Sequence, residues 1–197
     1  MRARFSSSAL ASLLPVLFVA AAVRAAGDAD LHAGVFSPPR AAPEFSLRGS
    51  DGAELTLSRY RGKVVILGFG FTSCPDVCPI TLATLAQVRK KLGAEARDLQ
   101  VVYITVDPAR DDAQRLREYL AGFDTTFIGG TGTDEKLTAV RNAYGIAAAR
   151  RVSGESYAFD HSSYTYLIDR EGNLRALTPF GQNADDYVHD VKILLTQ

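Results

Sequence analysis

The run from Val64 to Phe71 is almost unbroken in apolar residues, short, rich in β-formers and bounded by Gly62 and Lys63, which predicts a strand buried on both faces. Ile80, Leu82, Leu85, Ala86 and Leu92 then recur at helical spacing, and Pro79 suits a first helical turn, so a helix is expected over 79–92. A second buried strand follows at Leu99 to Val106. Strand, helix and strand in this order make a crossover unit whose strands pair in parallel. Leu116, Tyr119 and Leu120 mark one face of a helix over 113–123, Thr126 to Ile128 reads as a short strand, and Thr133 caps a helix over 134–144 that Gly145 ends.

The flanks of this unit read as antiparallel. Phe45 to Leu47 and Leu55 to Leu57 enclose the turn residues Gly49 to Gly52, which predicts an N-terminal hairpin. Tyr164 to Ile168 and Leu174 to Leu177 enclose a second turn, and Tyr187, Val188, Val191 and Leu194 face inward from a final helix over 184–195. Arg150 to Asp160 lacks core periodicity and reads as a surface excursion or loose hairpin that delivers His161. His189 falls on the rim of the last helix.

Before all this, Arg2 and Arg4 precede an uncharged stretch ending in small residues around Ala25, the pattern of an export signal. A spanning helix takes about 20 mostly apolar residues, and here serines and Pro15 dilute the stretch, which favours cleavage over an uncleaved anchor. The expected organisation is a signal peptide or membrane anchor at 1–26, a flexible spacer at 27–42 and one domain at 43–197. His32 lies in the spacer and reads as a solvated histidine.

Charge narrows the partners. The 197 residues carry 22 basic and 22 acidic side chains with no long run of either sign, which argues against nucleic acid. The chain has two cysteines, Cys74 and Cys78. Export places them in an oxidising compartment, where a lone pair is first suspected of being a structural disulfide. A bond closing so short a segment restrains the unfolded chain little, which disfavours that reading.

Pro79 excludes a continuous helix through both cysteines, so Cys74 is expected in a loop and Cys78 at the helix start. Free backbone donors and the helix dipole there favour thiolate over thiol. In open α/β sheets, sites lie at the carboxyl ends of strands. The cysteine loop follows the first central strand and Asp107 the second, while His161 reaches the same edge only if the strand after it runs the right way. Two thiolates and an imidazole suit copper, which accepts low coordination when cuprous. Structural zinc takes four ligands, and no fourth cysteine or suitably spaced histidine is present. The spacing alone also allows a redox dithiol.

Three blocks, FTSCPDVCPITL, VDPARD and DHSSYTYLID, together resemble the Sco/SenC copper chaperones of cytochrome c oxidase assembly, over about Pro43 to Leu195. The resemblance implies a thioredoxin-like α/β fold, a mixed sheet flanked by helices with an added hairpin. It also implies copper bound by Cys74, Cys78 and His161, with Asp107 beneath the site or facing a partner. Thioredoxin-like reductases carry a cis-proline where this chain has Ser163, and His161 lies two residues earlier. The implied function is an exported, monomeric metallochaperone at the periplasmic face. It would hand copper to, or prepare, the CuA site of the oxidase, and exchange it with other periplasmic copper carriers. A thiol-disulfide oxidoreductase using Cys74 and Cys78 to reduce the acceptor's cysteines is the second reading.

Overall fold

A computed structural model describes residues 30–197; the expected leader at 1–26 lies outside them. The strands are β1 (Gly34–Ala41), β2 (Ser46–Gly49), β3 (Glu54–Thr56), β4 (Val64–Gly70), β5 (Leu99–Thr105), β6 (Ile128–Thr131), β7 (Ala148–Ser153), β8 (Ser156–His161), β9 (Thr165–Ile168) and β10 (Asn173–Thr178). The helices are α1 (Val77–Leu92), α2 (Ala113–Ala121), α3 (Asp134–Tyr144) and α4 (Ala184–Leu195).

Eight strands form one mixed sheet in the order β1-β10-β9-β4-β5-β6-β2-β3, and β7 pairs with β8 in a separate ribbon. The parallel centre is β4-β5-β6, with every residue of β4 and β5 buried. Both strands are therefore sandwiched between layers, which is why their sequences lack alternation. Leu82, Leu85 and Val88 of α1 and Tyr187, Val191 and Leu194 of α4 supply buried side chains, and α1 packs against α4. The chain has a thioredoxin-like α/β fold, as the resemblance implied.

Several boundaries differ from the periodicity reading. Residues 34–41, expected within a spacer, form an edge strand antiparallel to β10. Its residues are almost all exposed, so no apolar alternation announces it. The strand expected at 126–128 begins at Ile128, because the Thr126 carbonyl is taken by the Gln100 side-chain amide. Gly129 and Gly130 then bring β6 so close to Leu116 and Leu55 that a Cβ would lie 2.8 and 2.7 Å from those side chains. The excursion over 150–160 is a regular antiparallel ribbon lying outside the main sheet.

Candidate metal centre

The direction of β9 decides whether the chemistry converges. It pairs antiparallel with β4, Gly68 opposite Thr165, so the segment entering β9 arrives at the carboxyl end of β4, where the cysteine loop begins. Cys78 Sγ and His161 Nε2, 83 positions apart in sequence, lie 3.6 Å from each other. The His161 Nδ1 lies 3.0 Å from the Ser162 carbonyl. A carbonyl only accepts, so Nδ1 carries the ring proton and Nε2 presents its lone pair towards the sulfur. Both cysteines are free thiols, Cys74 half-buried and Cys78 buried to 3% exposure.

Helix α1 starts two residues earlier than Pro79, with Asp76 as an N-cap whose side chain makes no capping bond. Cys78 thus sits inside the first helical turn and Cys74 in the loop before it. At Cys78 the dipole argument for a thiolate fails. Burial pushes the Cys78 thiol up from its ordinary 9.0 to about 12, against the smaller opposing effects of a Tyr103 hydroxyl bond and a backbone bond. Desolvation of a sulfur enclosed by β4, β5 and His161 outweighs a helix end. Burial likewise lowers the His161 pKa below its ordinary 6.5. Burial thus favours the neutral form of both the Cys78 thiol and the imidazole that faces it.

A notch of about 10 Å³ is bounded by Cys78, His161, Val77, Thr81, Tyr103 and Ser163 among others. That is room for about one water-sized group, and Cys74 is not among the lining residues. Soft sulfur beside an unprotonated imidazole nitrogen, in a notch of this size, is a donor set that fits cuprous copper.

Residues unremarked in the sequence shape this centre. The buried Tyr103 hydroxyl meets no oxygen or nitrogen acceptor and crowds the Cys78 sulfur. Gly70 makes room for both: a Cβ there would lie 1.8 Å from the Tyr103 Oη and 2.7 Å from the Cys78 Sγ. Asp111, fully buried, accepts bonds from the Thr72 backbone N–H at 2.9 Å, the Thr72 hydroxyl at 2.6 Å and the Thr105 hydroxyl at 2.7 Å, which fixes the start of the cysteine loop. Phe71 packs edge-on against the His161 ring, centroids 5.9 Å apart. A glycine at the end of a buried strand and a second aspartate in VDPARD were the available signals.

Asp107 is buried and turned towards the ribbon. It accepts from Arg110 Nε at 2.5 Å and from the Tyr157 hydroxyl at 3.0 Å. The Arg110 guanidinium lies 3.9 Å from the Tyr157 ring centroid and donates to the Tyr157 carbonyl at 3.2 Å. Asp107 and Arg110 thereby latch β8, the strand that ends in His161, over the cysteine loop.

A thioredoxin-like domain whose buried cysteine sulfur is faced by an unprotonated imidazole nitrogen has the donor chemistry of a soft-metal-binding protein. The comparisons specify it: the SCO1/SenC family profile matches residues 36–196, and the chain belongs to that family. It is 38% identical over 133 residues to a SCO2-like protein of Rickettsia felis, a match covering 66% of this chain and 64% of that relative, so just under two thirds of the relative's length is spanned. Among solved structures it is similar to Arabidopsis thaliana ScoI with copper bound (33% identity, TM-score 0.73, covering 79% of this chain and 99% of that one). It is also similar to apo Sco1 from Thermus thermophilus (31% identity, TM-score 0.76, covering 84% and 97%).

Proposed function

We propose that this protein carries copper as cargo, held by Cys74, Cys78 and His161, and passes it to the CuA site of a cytochrome c oxidase subunit. The convergence of Cys78 and His161 at 3.6 Å, from segments 83 positions apart, carries this reading. Copper bound to a similar ScoI supports the choice of ion. Cys74, the more exposed sulfur, offers the first point of exchange: an acceptor thiolate or imidazole can replace it while Cys78 and His161 still hold the ion. The leader pattern supports a place in the periplasm or on the periplasmic face of the inner membrane. Among the described residues no helix is long and apolar enough to cross a membrane.

The test is transfer. Cuprous-loaded protein mixed anaerobically with a reduced, copper-free CuA domain, then oxidised, is expected to yield the CuA absorption spectrum and copper-free donor. Copper remaining on the donor would overturn the reading.

The asymmetry of the two thiols favours a second activity. The half-buried Cys74 can attack an acceptor disulfide and form a mixed disulfide, releasing one acceptor thiol. Buried Cys78 then displaces the second, so that Cys74 and Cys78 become a disulfide as the acceptor gains two electrons and two protons. Reduction of an oxidised CuA domain that survives His161→Ala and is lost in Cys74→Ser is the expected signature.

A further inference from the structure

A second cluster, with no sulfur in it, joins the segment before β1 to α4. Asp190, 1% exposed, accepts the backbone N–H of His32 at 2.7 Å on one carboxylate oxygen and that of Ala33 at 3.0 Å on the other. His32, expected to be free in solvent, is thereby pinned over the helix. Its ring stacks on that of His189, centroids 4.0 Å apart and planes 13° from parallel.

Each ring also has a carboxylate on Nδ1: Asp186 at 2.6 Å from His32 and Asp190 at 3.2 Å from His189. A carboxylate only accepts, so each neutral ring keeps its proton on Nδ1 and its lone pair on Nε2. Metal-ligating histidines are held and oriented by this carboxylate–imidazole pairing. Donor atoms of His32, His189 and Asp190, one from each, all lie within 4.8 Å of one another.

We propose that His32 and His189 form a second metal site, for a divalent first-row ion of the Cu(II) or Zn(II) class, with Asp186 and Asp190 fixing the two rings. Two imidazoles with carboxylates behind them suit borderline divalent ions, whereas the cysteine centre suits the soft cuprous ion, and Cu(II) binds such nitrogen donors most strongly. Stacked rings direct their lone pairs in parallel, so they must splay for both nitrogens to reach about 2.0–2.1 Å from one ion. Side-chain exposures of 48% for His32 and 42% for His189 leave them that freedom. A bound ion would tie the N-terminal segment to the C-terminal helix.

The site shares no residue with the cysteine centre, so the two claims are tested apart. The chain has three histidines, and in Cys74→Ser/Cys78→Ser/His161→Ala only His32 and His189 remain. Titrated with Cu(II) against glycine, the tag-free triple variant is expected to bind one equivalent whose electron paramagnetic resonance shows two imidazole nitrogens. Adding His189→Gln is expected to weaken binding by about tenfold or more and remove one nitrogen, and Asp186→Asn to weaken it about tenfold. If the triple variant does not fold, the Cys74→Ser/Cys78→Ser protein is scored with the same added changes. No stoichiometric binding, or binding indifferent to His189→Gln, would overturn the proposal.

Discussion

Cys78 and Gly70 show how closely the centre depends on single atoms. Copper bound at Cys78 must displace a proton from a thiol that burial holds at about 12, so one proton leaves at every pH below that value. Apparent affinity is therefore expected to rise about tenfold per pH unit for that proton. Burial lowers the His161 pKa and so favours its neutral form, and protonation of that ring weakens binding further in acid. Chelator competition at pH 7 and pH 8 checks the sign; affinity that falls as pH rises would contradict it. At Gly70 the added Cβ of an alanine would lie 1.8 Å from the Tyr103 Oη. Gly70→Ala is expected to cost about 1–3 kcal/mol through overpacking. Adding Tyr103→Phe, which removes that oxygen, should recover part of the loss in urea denaturation.

At the scale of elements, the β7–β8 ribbon is the least secured part of the site. It joins no strand of the main sheet, and Arg110 and Asp107 hold it through Tyr157. Asp107→Ala is expected to raise amide hydrogen exchange over 148–161 and to weaken copper binding severalfold, while leaving protection of β4 and β5 unchanged. Uniform exchange across the sheet and ribbon would remove the latch from the account. This ribbon was legible in the sequence as an excursion or loose hairpin, and the structure carries it over 148–161. Buried elements such as β4, α1 and α4 announce themselves through apolar runs or helical periodicity. A strand such as β1, exposed along its length and held by backbone pairing and Asp190, carries no such signal. Cys74, Cys78 and His161 were legible as residue types, but the meeting of Cys78 with His161 depended on β9 running antiparallel to β4, which pattern alone does not reveal. Burial of Cys78 was likewise a tertiary fact: local reading saw a helix end and expected a thiolate.

Across the whole molecule, the parallel centre of the sheet supplies a rigid edge on which the cysteine loop is built, and the antiparallel return of β9 brings the imidazole to it. The same sheet grows an outer strand, β1, and the residues just before it are fastened to α4 through Asp190, on the flank beyond β9. On the proposed reading, Cys74, Cys78 and His161 together hold one cuprous ion at that edge. Anaerobic titration of the reduced protein with cuprous ion under a competing chelator tests it most directly. One tight equivalent is expected in the native chain, weakened by about tenfold or more in His161→Ala as one of three ligands is lost. An unchanged affinity in that variant would contradict the account.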